Sequence, residues 1–210
     1  LNLIKSEVQK FSKKTEIVAV SKTFDIEHIM PLINCGHTHF GENKVQEAVE
    51  KWSDLKKNNP NIKLHMLGKL QSNKVKYSIP LFDYIHSLDN LKLAEKISKE
   101  QQKKNFKPKI FIQVNIGNES QKNGIRESEI KEFLNICKTK YNLDIIGLMC
   151  IPPNDNKSDF YFKKMKLINE KYHLIHLSMG MSQDYLVACK NGSTFIRVGS
   201  NIFGQRNIKF

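Results

Sequence analysis

Eight short apolar runs recur along the chain, opening near Ile17, Thr38, Lys63, Tyr84, Lys109, Asp144, His173 and Thr194, with helical periodicity in the gaps between most of them. Successive starts lie 21, 25, 21, 25, 35, 29 and 21 residues apart, the spacing of repeated strand-helix units. Parallel strands joined this way close into a barrel or spread into an open doubly wound sheet. The open sheet announces itself by a GxGxxG turn after its first strand, whereas SKTFDIEH stands there in this chain. The expected fold is therefore α/β, a single (β/α)8 TIM barrel occupying residues 1–210, a length that barrels of this kind routinely use for one domain.

Helices are expected from Asp25, Asn43, Asn90, Glu127, Ser158 and Ser182, with an amphipathic amino-terminal helix in LNLIKSEVQKFSKK. The helix from Asn43 places Val45, Ala48, Val49, Trp52 and Leu55 on one face and cannot pass Pro60. Asp25 and Ser128 are read as caps at helix starts, and Gly36 and Gly192 as left-handed helix ends.

Composition removes several functional classes. No apolar run is long enough to cross a bilayer, and the amino end is not an apolar block followed by a small-residue cleavage site, so no membrane partner and a cytoplasmic location are expected. Cys35, Cys137, Cys150 and Cys189 share no metal-ligand spacing, so reduced thiols and no metal are expected. The net charge of +13 is nearly all lysine, scattered among acidic residues as in NKVQEAVEKWSDLKKN. That pattern reads as a solvated surface, and no nucleic-acid partner is expected.

In a barrel of this type function collects where strands end at their carboxyl side. Alternation puts Val18, Val20 and Lys22 on one face of the first strand, so Lys22 points inward above the core if the valines fill it. A desolvated amine near other cations has a lowered pKa and can attack a carbonyl. Position alone equally allows Lys22 to reach solvent or to pair with Glu42. On the eighth strand Phe195, Arg197 and Gly199 share a face, which turns Arg197 inward as well. Gly199-Ser200-Asn201 then enters a short turn whose amides and hydroxyl suit a phosphate, with Ser178 and Ser182 beside it after strand seven. A ligand with an aldehyde for Lys22 and a phosphate for Gly199 and Ser200 is pyridoxal 5'-phosphate (PLP), and Arg197 would then meet its pyridine nitrogen. Arginine remains protonated, so it would donate to an unprotonated ring nitrogen and weaken the ring as an electron sink.

The stretches IVAVSKTF, HFGENKVQEAVEKW, HMLGKLQSNKVK, IHSLDN, IQVNIGNESQKNGI, IGLMCIP and LSMGMSQDYLVACKNGSTFIRVGSNIFGQR occur in an order that resembles the pyridoxal phosphate homeostasis protein family, relatives of the barrel domain of alanine racemase. The resemblance implies an alanine-racemase-like, fold type III PLP-binding barrel. It implies Lys22 as the Schiff-base lysine, Asn43 beside the ring, Arg197 at the pyridine nitrogen, and Ser178, Ser182, Gly199 and Ser200 around the phosphate. It further implies a carrier or buffer of PLP that affects amino-acid metabolism and meets PLP-dependent apoenzymes transiently. Phe24 stands where many members carry a basic residue, and Ser200 where threonine is common; the hydroxyl is retained.

Racemases built on this barrel need a second acid-base group, usually from a further β domain and a partner subunit. About a dozen residues follow the eighth strand here, so no such domain and a monomeric, non-catalytic protein are expected. His39, His65, His86, His176 and Tyr84 are candidate bases within the strands, each read as a hydrogen-bonded packing residue, and Cys150 is read as packed rather than nucleophilic. A small PLP-dependent racemase and a basic nucleic-acid-binding module are the competing readings.

Overall fold

Eight parallel strands close on one another in chain order, β1 pairing with β2 and so on until β8 pairs back with β1. They are β1 Glu16–Val20, β2 His39–Glu42, β3 Lys63–Met66, β4 Tyr84–Leu88, β5 Lys109–Val114, β6 Asp144–Cys150, β7 His176–Met181 and β8 Phe195–Val198. Helices α1 Asn2–Gln9, α2 Ile26–Asn34, α3 Val45–Asn58, α4 Val75–Ser78, α5 Leu91–Lys104, α6 Ile130–Thr139, α7 Ser158–Lys171, α8 Tyr185–Lys190 and α9 Ser200–Phe203 accompany them. This computed structural model describes residues 1–204, so the last two residues of the carboxyl-terminal motif, Gln205 and Arg206, lie outside the described residues.

Alternation along each strand sorts side chains between two cores. Ala19, Phe40, Leu64, Ile85, Ile110 and Leu148 face outward and are buried under the helices, together with Trp52 of α3. Val18, Phe111, Met149 and Phe195 face inward and fill the barrel. The inward residues of successive strands also include His39, His65, Tyr84, His86 and His176, whose rings pack around Phe195 at centroid distances of 5.5–6.2 Å.

Helix ends follow the expected punctuation at Gly36 (φ +78°) and Gly192 (φ +84°). Three expectations need correction. The gap between β3 and β4 holds a short helical segment, Ser72–Lys74 continuing into α4, which is too brief for a 3.6-residue period to declare itself. Ser128 is not a cap: it lies inside a 3-10 turn, Glu127–Glu129, ahead of α6. β7 begins at His176 rather than His173, because α7 ends in a left-handed residue, His173 at φ +52°, whose following amide, Leu174 N, donates to Asn169 O. Among the described residues no helix is long and apolar enough to cross a membrane.

Candidate functional site

At the carboxyl ends of the strands a pocket of about 760 Å³ opens, within the range of small-molecule sites. Val20, Lys22, Phe24, Asn43, Leu67, Lys122, Ser182, Asp184, Arg197, Gly199 and Ser200 are among the residues around it. Six of the seven expected site residues therefore meet in one cavity. Ser178 does not: its side chain is fully buried one layer below, where it bonds to Arg197 and His86. It supports the floor of the pocket and is not among the residues that line it.

The β1-β8 register brings the two halves together. Ala19 pairs with Val198, so Lys22, three residues beyond the one, and Ser200, two beyond the other, leave adjacent strands side by side. Phe24 then stacks on Phe203 with ring centroids 5.0 Å apart, joining the loop that carries Lys22 to α9.

That loop is clamped on both sides of Lys22. Ser21 is fully buried and its Oγ donates to Glu42 Oε1 at 2.8 Å. Lys51 Nζ, from α3, donates to the Ser21 carbonyl at 2.9 Å, to Glu42 Oε1 at 3.0 Å and to Glu47 Oε1 at 3.1 Å. Trp52 Nε1 donates to the same Glu42 oxygen at 2.9 Å. On the far side, Thr23 N donates to Glu47 Oε1. Thr23 sits at φ +68°, a left-handed conformation that a β-branched residue adopts only under constraint from its surroundings. Burial raises the Glu42 pKa against the lowering effect of Lys51, and its second oxygen has no hydrogen-bond partner among the described residues. Glu42 is thus held by Lys51, Ser21 and Trp52.

Sequence reading missed this clamp. Glu47 and Lys51 form an i,i+4 pair in a segment read as a solvated helix face, yet the Lys51 side chain is only 8% exposed. The missed signal was position: α3 follows β2 directly, so its first turns lean over the strand ends.

On the floor, Arg197 is buried and fixed by two bonds, from Nη1 to Ser178 Oγ at 2.7 Å and from Nη2 to the Cys150 carbonyl at 2.9 Å. Burial pushes the Cys150 thiol up to about 12, consistent with a packed rather than nucleophilic side chain. Beside the floor the loops after β7 and β8 are stitched together: Gly199 N donates to Ser182 Oγ at 3.4 Å, and Asn201 Nδ2 to the Ser182 carbonyl at 3.0 Å. Asn43 is kept at the rim by close backbone packing, since a Cβ on Gly68 would collide with the Asn43 carbonyl oxygen. His39, His65 and His86 lie deeper in the barrel and do not line the pocket; nor does Tyr84 or His176. Amine, buried guanidinium and an amide-and-hydroxyl turn around one cavity form a donor set suited to a flat ligand with a carbonyl, a ring acceptor and an anionic group.

Residues 3–207 match the family model described as alanine racemase, N-terminal domain. A pyridoxal phosphate homeostasis protein of Aquifex aeolicus is 38% identical over 200 residues, covering 91% of this chain and 87% of that protein. A pyridoxal phosphate homeostasis protein of Vibrio alginolyticus is 36% identical over 206 residues, covering 93% and 88%. Among solved structures, PipY of Synechococcus elongatus with PLP bound superposes with a TM-score of 0.88 at 31% identity, covering 97% of this chain and 99% of that one. An alanine racemase of Clostridium difficile has a TM-score of 0.74 at 16% identity over 97% of this chain and 56% of its own, which speaks to the fold alone.

Proposed function

The chain belongs to the pyridoxal phosphate homeostasis protein family within the alanine racemase N-terminal domain fold, and from that premise we propose that it binds PLP as a Schiff base on Lys22 and serves as a non-catalytic carrier of the cofactor. One observation supports this most strongly: Lys22, Arg197 and the Gly199-Ser200 turn surround a single cavity. PLP supplies an aldehyde, a pyridine nitrogen and a phosphate. Lys22 Nζ holds the aldehyde end, with loss of water as the imine forms. Arg197 holds the ring nitrogen. The Gly199-Ser200 turn and Ser182 hold the phosphate, and Asn43 flanks the ring.

What lines the pocket favours carriage over turnover. Among the described residues its titratable side chains are Lys22, Lys122, Asp184 and Arg197. Lys122 Nζ already donates to the Pro152 carbonyl and pairs with Glu119, and Asp184 Oδ1 accepts from Met181 N. The histidines that could move a proton lie below the floor. Arg197, a permanent donor, keeps the ring nitrogen unprotonated and so restrains carbanion chemistry. Held this way, a reactive aldehyde is kept from indiscriminate amines and passed to apoenzymes in brief encounters, within intracellular vitamin B6 balance.

The test is borohydride reduction of PLP-loaded protein followed by peptide mass analysis. The reduced adduct is expected on Lys22 and lost in Lys22→Ala; an adduct elsewhere in the unsubstituted protein overturns the assignment. The racemase reading, which the shared fold keeps in play, requires α-hydrogen exchange of D- or L-amino acids with solvent deuterium above the rate of free PLP.

A further inference from the structure

Between Glu16, at the amino end of β1, and Arg197, on the pocket floor, the barrel interior carries a continuous file of polar groups. His39 Nδ1 and His65 Nε2 lie 2.9 Å apart, His65 Nδ1 and His86 Nε2 2.9 Å, and His86 Nδ1 and Ser178 Oγ 2.8 Å. Arg197 Nη1 donates to the same Ser178 oxygen at 2.7 Å, and at the other end His39 Nε2 faces Glu16 Oε2 at 3.7 Å. His65, His86 and Ser178 are fully buried.

We propose that Arg197 polarises this file in one direction, with His39, His65 and His86 all neutral and all protonated on Nε2, and that Ser178 and His86 are thereby positioning residues for Arg197.

A guanidinium only donates. Having accepted from it, the Ser178 hydroxyl has one proton to place, and His86 Nδ1 is the partner it meets. Were His86 protonated on Nδ1, two donors would face one oxygen and the hydroxyl proton would be stranded in a dry interior, where an unmade hydrogen bond is costly. His86 Nδ1 therefore accepts, which leaves its proton on Nε2. That N–H meets His65 Nδ1, which must accept, and His65 Nε2–H in turn meets His39 Nδ1. The last N–H, on His39 Nε2, points toward the Glu16 carboxylate, the negative end of the file. A second proton on His65 would set its Nδ1–H against the His86 Nε2–H, and one on His86 would leave the Ser178 hydroxyl proton without its acceptor.

The surrounding charges agree. Burial holds His65 and His86 well below the usual histidine value, with the neighbouring imidazoles and Lys56 adding to it for His65 and Arg197 for His86. His39 is lowered chiefly by burial, with Lys63 and Lys109 acting the same way and Glu16 and Asp83 opposing.

The inference rests on the PLP reading only for the use made of Arg197. With Nη1 engaged by Ser178 and Nη2 by the Cys150 carbonyl, two bonds fix the plane of a guanidinium that lines the pocket. Imidazole tautomers can be read without any cofactor.

The measurement is nitrogen-15 NMR of the ligand-free full chain labelled at histidine and arginine. Each of the three rings is expected to show a protonated Nε2 and an accepting Nδ1. In Ser178→Ala the His86 Nδ1 resonance should move downfield as it loses its donor, and the hindered rotation of the Arg197 guanidinium should relax; Ser178→Thr, which keeps the hydroxyl, should restore both. An Nδ1-protonated or doubly protonated ring in the unsubstituted protein at neutral pH, which needs no variant to fold, would overturn the proposal. So would resonances of His86 and Arg197 that ignore the loss of the Ser178 hydroxyl. Neither outcome touches the borohydride result, so the two readings fail separately.

Discussion

Lys51 Nζ donates to the backbone carbonyl of Ser21 at 2.9 Å, one residue before Lys22. A lysine on α3 thus holds the main chain next to the lysine proposed to take the cofactor, and the same ammonium neutralises Glu42, whose side chain has no solvent exposure. Rigid placement of the attacking group lowers the cost of forming the imine, because less freedom remains to be lost.

Lys51→Met should therefore injure both stability and reactivity. The buried Glu42 loses its cation, an imbalance that costs roughly 3–5 kcal/mol in comparable pairs. Adding Glu42→Gln removes the stranded charge, so urea unfolding of the double variant should recover much of that loss. The rate at which added PLP develops its imine absorption should stay slow, because the Ser21 carbonyl remains unheld. A single variant destabilised by less than about 1 kcal/mol would show that the clamp carries little.

Acid should weaken the fold, and His37 contributes over a defined window, while His39, His65 and His86, also lowered by burial, add to the same decline. His37 Nε2 lies 2.9 Å from the His39 carbonyl, and burial brings the His37 pKa from 6.5 down to about 4. A histidine depressed in the folded state binds protons more readily when unfolded, so its stabilising contribution is complete above 6.5 and is lost as pH falls through about 4. The full swing is about 3 kcal/mol. Glu42, raised in the folded state, works in the opposite sense: its effect favours the fold as pH falls. His37→Phe should make the decline in unfolding free energy between about pH 6.5 and pH 4 shallower, leaving the share carried by His39, His65 and His86; an unaltered slope would mean that His37 carries none of it.

The barrel could be read from spacing because each βα unit repeats a local rule, apolar alternation followed by an amphipathic helix, that needs no knowledge of the rest of the chain. Lys22 and Arg197 were legible for the same reason: two-residue periodicity fixes the side a strand residue faces, and Val18 and Phe195 do fill the interior below them. The clamp by Glu47 and Lys51 was not. On a helix, an i,i+4 ion pair looks the same in sequence whether it faces solvent or leans over a strand end. The depth of Ser178 was not legible either. This residue was expected after strand seven but lies within β7, because depth along the barrel axis, which separates a ligand-facing hydroxyl from one beneath the floor, depends on strand stagger and on the register shift between Ser178 and Met181.

Ser200 tests the anion side. It is exposed, and among the described residues its Oγ makes only a long 3.5 Å contact with Asn201 Oδ1, so Ser200→Ala should leave the unfolding midpoint unchanged. A hydrogen bond to a charged group contributes about 1.5–3 kcal/mol, so the Kd for PLP should rise roughly 10- to 100-fold. The Kd for pyridoxal, which lacks the phosphate, should not change. Equal losses for both ligands would place the phosphate elsewhere in the pocket.

Arg197 separates binding from electronic control. Arg197→Ala leaves Ser178 Oγ without the donor at 2.7 Å and the Cys150 carbonyl without the donor at 2.9 Å, both in the buried floor. Two stranded acceptors at about 1–3 kcal/mol each should lower stability, by urea unfolding, without abolishing the fold. Lys22 follows another strand, β1, and keeps its clamp, so borohydride should still fix PLP on it. What should change is the pH dependence of the bound cofactor's absorption, because a ring nitrogen no longer facing a permanent cation becomes free to take a proton. Arg197→Lys, which restores a cation but not the planar fork held between Ser178 and Cys150, should recover that behaviour only in part. A spectrum identical to the unsubstituted protein at every pH would mean that Arg197 does not meet the ring nitrogen, and its two floor bonds would then be its whole role.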